Sequence, residues 1–269
     1  MNGTTKKSVG ALTVLLAVFG GVALLGTGAA AAVSGVQQLT SEDGGRQLDV
    51  QGVTELDLEV SAAAVTVKFR PDAELAELQI EHGSPSGWSL KRDGDTLEVR
   101  GPDRGFDFFR PDWLRGDERA TLVLPERLHG LDADLTLQAG TLTVDGVFGE
   151  LDLQLNAGSL SVNGEARALD AELNAGRADI DLRGVKTAEY TVAAGRMTSV
   201  LSTAPDEVSI EVSAGALNLT LPDVSYDLRR SVNAGSLDSD LAEDSSSRHR
   251  IHAEVSAGSV TLKPGRTAG

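Results

Sequence analysis

The sequence predicts an all-β chain: a single parallel β-solenoid of Ala-Gly repeats, preceded by one N-terminal transmembrane helix. Three observations predict it. First, Ala-Gly recurs with its glycine at 140, 158, 176, 195, 215, 235 and 258, in steps of 18, 18, 19, 20, 20 and 23 residues. A near-constant period of about 20 residues is the signature of a repeat array. Second, the apolar residues around each glycine alternate with period two, the pattern of a strand with one buried face, and slip by one residue at the glycine. Leu151, Leu153, Leu155 and Ala157 thus give way to Leu160 and Val162. Third, Val9 to Val33 runs 25 residues without a charge. A bilayer core of about 30 Å needs roughly 20 helical residues, so this stretch is long enough to span.

Taken in order, residues 1–8 read as a cytoplasmic N-terminus and 9–33 as the spanning helix. Lys6 and Lys7 before it and Glu42 and Asp43 after it place the remainder outside the cytoplasm by the positive-inside preference. A cleaved secretory signal is the alternative, since "GAAAAVSG" offers small residues for cleavage. Residues 34–47 read as a linker. Residues 48–130 read as N-terminal β-strands and a cap. They include "LEVSAAAVTV", a degenerate repeat with Ala63 in the glycine position, then the strands "AELQIEH" and "RATLVLPERL", and a hairpin turning at Asp93 and Gly94. A solenoid needs such a cap, because a bare terminal strand exposes unpaired backbone.

Residues 131–264 read as the solenoid, and 265–269 as a tail. Around the corners, Ala133, Leu135, Leu137 and Ala139 switch to Leu142 and Val144, and Val208, Ile210, Val212 and Ala214 switch to Leu217, Leu219 and Leu221. The alanine before each glycine is expected to point inward, small enough for the backbone to turn over the core. The glycine takes backbone angles closed to other residues. No helical period interrupts the strands. An antiparallel sandwich would also alternate apolar and polar residues, but would not need the same corner at every turn.

Composition narrows the function classes. Aromatic residues are only 4% of the chain, which suits a thin core filled by Leu, Val and Ala. The formal charge of −16 disfavours a nucleic-acid partner, and the absence of cysteine removes disulfides, thiolate metal sites and a Cys nucleophile. No cofactor motif is present. "GSPSG", Gly83 to Gly87, fails as a nucleophile elbow because Pro85 stands where the serine belongs. "HRIH", His249 to His252, offers two nitrogens with no evident third ligand and reads as a polar surface pair.

The units "DGDTLEV", "ATLVLPERL", "NAGSLSV" and "SAGSVTL" on a Cys-free chain with an apolar N-terminal segment resemble those of a family of bacterial cell-envelope β-solenoids known as putative adhesins, a domain of unknown function. The resemblance covers Leu48 to Leu262 and rests on the repeat pattern. It implies an exported or membrane-anchored β-repeat protein linked to envelope adhesion or stress sensing, with no catalytic residues to carry over.

Two side-chain groups remain as candidate sites. Asp134, Asp152, Asp170 and Glu189 each stand six residues before their glycine on the outward phase, so stacking would align them as a carboxylate column. Such a column is either a divalent-cation site or a solvated acidic face, with Ser209 and Arg229 next in sequence order to interrupt it. Phe106, Phe108, Phe109 and Trp113 gather 4 of the chain's 10 aromatics in eight positions. They read as a partner-binding patch or as a plug for the solenoid end. The resulting expectation is a non-enzymatic, single-pass protein of the cell membrane with its C-terminal domain extracytoplasmic. It would act as an adhesin-like or scaffold surface toward a cell-envelope polymer or a membrane protein. The alternatives are a component of an envelope-stress system and an enzyme on envelope polysaccharide.

Overall fold

The computed structural model describes residues 39–40, 45–82, 85–102 and 118–265. The segment Val9 to Val33 lies outside them. Among the described residues no helix is long and apolar enough to cross a membrane. Regular structure there is β throughout, apart from two single-turn 3₁₀ segments at Pro85–Gly87 and Glu126–Leu128.

The repeats stack in register as two sheets. One sheet, the acid face, holds the strands that precede each corner: β3 (Glu55–Val60), β9 (Leu131–Leu137), the second half of β10 (Gly140–Leu155), β12 (Ala168–Leu173), β14 (Thr187–Val192) and β16 (Glu207–Val212). The other, the hydroxyl face, holds those that follow it: β4 (Ala63–Arg70), the first half of β10, β11 (Ser159–Glu165), β13 (Arg177–Arg183), β15 (Arg196–Leu201) and β17 (Ala216–Pro222). Every one of these pairings is parallel, which excludes the antiparallel sandwich. Ala63 is the register partner of Gly140, as the degenerate repeat requires.

Both ends of the stack depart from sequence order. After β4 the chain runs outward through β5 (Ala76–His82), the hairpin β6 (Ser89–Asp93) and β7 (Thr96–Arg100), and β8 (Arg119–Pro125). There β7 pairs with β3 and β8 with β4, adding a layer beyond the first repeat. The chain then returns past that repeat to continue at β9. At the far end β18 (Ser225–Val232) and β19 (Ser236–Ser239) come before the short β20 (Ala242–Glu243) and the last repeat, β21 (Arg250–Val255) and β22 (Ser259–Gly265). Yet β21 pairs with β16 on one side and β18 on the other, and β22 lies between β17 and β19. The last repeat in sequence is therefore the penultimate layer in space. Nine layers at about 4.8 Å give a stack roughly 38 Å tall.

Antiparallel strands finish the N-terminal end. β5 pairs with β8, β2 (Arg46–Leu48) with β5, and β1 (Leu39–Thr40) with β2, so β1 and all but the last residue of β2 fall inside the stretch read as a linker. At the other end Arg230 occupies an inward row, in register with buried Ala253, and pairs with Glu243 of β20. A charge in the row where neighbouring layers place apolar residues ends the core and discourages further strand addition.

The core is thin and continuous. Leu56, Leu135, Leu153, Leu173, Ile210 and Val255 from one sheet, and Leu122, Val144, Ile180, Leu219 and Leu262 from the other, are all buried. Each such side chain contributes about 1.5–3 kcal/mol relative to exposure. In one layer the packing differs: Tyr190 and Ser199, both fully buried, face each other across the core with their hydroxyl oxygens 2.8 Å apart. A large residue opposite a small one conserves volume, and each hydroxyl satisfies the other.

The corners correct the expectation for the alanines. The last inward residue before the bend is Leu155 and the first after it is Leu160, while Asn156, Ala157 and Gly158 form a three-residue corner. Ala157, Ala175, Ala194, Ala214, Ala234 and Ala257 are exposed at its tip and only Ala139 is half-buried. Three corner residues, rather than one, carry the chain from sheet to sheet, so the period-two count breaks at the second residue before glycine. The glycines meet the expectation in part: Gly140, Gly158, Gly176 and Gly195 have left-handed φ, whereas Gly215, Gly235 and Gly258 do not and are required by close stacking alone. At Gly176, with φ +110°, a Cβ would lie 2.2 Å from the carbonyl oxygen of Gly158. An amide ladder ties successive corners, Asn156 donating to Gln138 and Asn174 to Asn156, both at 2.9 Å.

Candidate functional surfaces

Strand register turns single positions into columns. On the acid face Glu98, Asp57, Asp134, Asp152, Asp170 and Glu189 are consecutive register partners, longer by two at the N-terminal end than the four candidates read from the repeat. The two extra carboxylates come from the degenerate repeat and the outer layer. Beyond Glu189 the column continues through Ser209, His252 and Arg229 in that spatial order. His252 enters because the last repeat is inserted, which corrects the direct succession of Ser209 and Arg229.

Crowding perturbs the middle of the column. Asp170 is pushed up to about 6, first by loss of water around its carboxylate and then by the charges of Glu189, Asp152 and Glu172. Asp134 and Asp152 are also raised, again first by loss of water and then by neighbouring carboxylates. At the N-terminal end the charge is met differently. Arg100 holds both carboxylate oxygens of Asp57 at 2.5 Å and reaches Glu59 at 3.7 Å. The cation reading gains no geometry: among the described residues no three His, Asp or Glu side chains converge as a metal set. The carboxylates stand in file along the outward side of this sheet, one per layer.

The "HRIH" pair diverges. His249 turns its Nδ1 to the carbonyl of Pro205 at 2.6 Å, whereas His252 lies against Glu254 at 3.2 Å on the acid face. Phe106, Phe108, Phe109 and Trp113 lie outside the described residues. Trp88, near the foot of that segment, is buried and donates from Nε1 to Glu118 at 2.8 Å.

The opposite sheet has another character. Its outward columns carry Thr66, Thr143, Ser161, Thr198, Asn218 and Thr261, interrupted by Asp179. Where this face meets the corners a shallow groove of about 640 Å³ runs over Gly158, Gly176, Gly195 and Gly215, with Arg177 and Arg196 on its wall. Sequence reading found the glycines as structural corners but not this pair. The available signal was an arginine following the Ala-Gly in two consecutive repeats.

No family model and no curated protein matches the chain. Solved structures do resemble it. One is "a putative cell adhesion protein from Clostridium sporogenes ATCC 15579", with 11% identity and a TM-score of 0.41 over 82% of this chain and 98% of that one. A second is "a putative adhesin (BF0245) from Bacteroides fragilis NCTC 9343", with 13% identity and a TM-score of 0.46 over 81% and 95%. A third is a "putative adhesin from Parabacteroides distasonis ATCC 8503", with 8% identity and a TM-score of 0.31 over 81% and 95%. Two of the three are described as putative adhesins and one as a putative cell adhesion protein.

Proposed function

We propose that the chain is a non-enzymatic, adhesin-like or scaffold surface of the cell envelope, held at the membrane by Val9 to Val33 with its β-repeats outside the cytoplasm. One observation carries the reading. The repeat builds two straight faces on which polar side chains recur at a fixed spacing of about 4.8 Å. Such faces suit many weak, repeated contacts with an extended partner, whose avidity exceeds that of any single contact. The partners proposed are the membrane, through the apolar segment, and a cell-envelope polymer or membrane protein, through the repeats.

The test is retention of the full-length chain, purified in detergent, on isolated cell-wall and membrane fractions. A variant with Phe106, Phe108, Phe109 and Trp113 changed to serine, with its fold checked by circular dichroism, runs beside it. Retention of the wild type on either fraction supports the surface role, and loss in the folded variant assigns contact to the aromatic segment. Absence of retention on both fractions would refute the reading.

A further inference from the structure

We infer that the groove along the Ala-Gly corners receives an anionic glycan strand, with Arg177 and Arg196 as its charge contacts. The inference rests on the surface role proposed above and names a ligand class for it. The glycine floor alone says nothing about a ligand, since close stacking of the corners already requires those glycines. The arginines do. Arg177 and Arg196 are register partners on adjacent strands, both exposed, and both line the groove.

Neither side chain has a hydrogen-bond or ion-pair partner among the described residues. Several other arginines are held by carboxylates, and Arg92 and Arg127 turn instead to backbone carbonyls. Arg183 meets Glu165 at 2.8 Å, Arg250 meets Glu207 at 3.2 Å, Arg167 meets Glu150 at 3.5 Å, and Arg230 pairs with Glu243. A chain with 40 acidic residues has carboxylates to spare, yet this couple stands unneutralised. Like charges in direct register oppose each other, and an anion lying between them removes that cost. Guanidinium groups bind carboxylate and phosphate oxygens in a two-pronged geometry that a lysine pair would not reproduce.

Charge and shape select the class of anion. Nucleic acid carries a charge at every phosphate, which the acidic chain repels, and its bases need aromatic stacking partners that the groove lining does not contain. A glycan bearing sparse acidic groups matches two cations flanked by hydroxyls, with Ser159 in the groove and Thr198 two residues beyond Arg196. The four corners from Gly158 to Gly215 span about 14 Å, so the site takes a short run of sugars rather than one. Carboxylate-bearing and phosphate-bearing glycans share this chemistry.

The experiment measures binding of the full-length chain in detergent to immobilised, sparsely carboxymethylated dextran, a sparsely phosphorylated mannan, and neutral dextran. The wild type should bind one or both acidic glycans, more weakly as salt rises, and ignore dextran. The double variant Arg177→Gln/Arg196→Gln should lose at least about tenfold in affinity, and Arg177→Lys/Arg196→Lys should recover only part of it. Both arginines are exposed, so circular dichroism should not change. Which acidic glycan binds decides between carboxylate and phosphate. Failure to bind either, equal binding of dextran, or unchanged binding by the glutamine variant overturns the inference. If wild type and glutamine variant are retained equally on envelope fractions, the groove is excluded while the surface role stands; if neither is retained, the surface role itself falls.

Discussion

At Gly176 the fold makes two demands on one residue. Its φ of +110° is strained for any side chain, and a Cβ would strike the carbonyl oxygen of Gly158 at 2.2 Å. Gly215 makes only the second demand: no left-handed φ is present, and its Cβ would meet Val192 Cγ1 at 2.4 Å and the Gly195 carbonyl oxygen at 3.0 Å. Gly176→Ala should therefore destabilise the protein more than Gly215→Ala, by the roughly 1–3 kcal/mol of one strained backbone residue. Urea unfolding of the two variants checks the order, and equal midpoints would contradict it. The glycines were legible in the sequence because the close approach of corner to corner repeats at each turn. The exposed alanines were misread because period two counts phase but cannot show how many residues a corner consumes.

Among the elements, the terminal pair β18 and β19 tells why the stack stops. Their layer holds Val224 and Val232, the two exposed large hydrophobics among the described residues, yet sets Arg230 in the inward row against Glu243. Removing that charge while restoring the apolar row, as in Arg230→Leu/Glu243→Leu, should leave an open edge and drive end-to-end association. Light scattering of the wild type and double variant at matched concentration tests this. A monomeric variant would show that the edge is closed by something other than the pair. The inserted position of β21 and β22 was hidden, because every repeat presents the same corner and register and so fits several places in the stack. Two signals marked it nonetheless: the last step lengthens to 23 residues, and Arg230 breaks the inward apolar rhythm of the preceding repeat.

For the whole molecule, charge is segregated. The acid face files six carboxylates in register, while the opposite face alternates hydroxyls with both signs of charge. This polarity was half legible: the six-residue spacing to glycine revealed the middle of the column, whereas Glu98 and Asp57 became visible only through the outer layers. Its consequence is a pH dependence with a definite sign. Asp134, Asp152 and Asp170 hold protons more tightly in the folded chain than in the unfolded one, where their value is 3.8. Stability should fall as pH rises from about 4 to about 6 and level off above, since the folded Asp170 titrates near 6. Asp72 and Asp244 are shifted down by hydrogen bonds, from Arg70 and from Ser246 respectively, so their contribution is lost only as pH drops below 3.8. Thermal unfolding should give a higher Tm near pH 4.5 than at pH 7.5, and Asp170→Asn should narrow that gap. A Tm that rises with pH across this window would refute the column as the source.

The registered columns, with the last repeat inserted at the penultimate layer, are the basis of everything proposed for the surfaces, and a cysteine-free chain permits a direct test. Cysteines placed at Ser209 and His252, register partners in adjacent layers, should form a disulfide under mild oxidation, because neighbouring strand positions lie within bridging distance. Cysteines at Ser209 and Arg229 are two layers apart, at about 9.6 Å, and should not. Efficient bridging of the first pair alone is the result expected. Bridging of the second pair and not the first would mean that the repeats stack in sequence order, and the interleaved solenoid would be wrong.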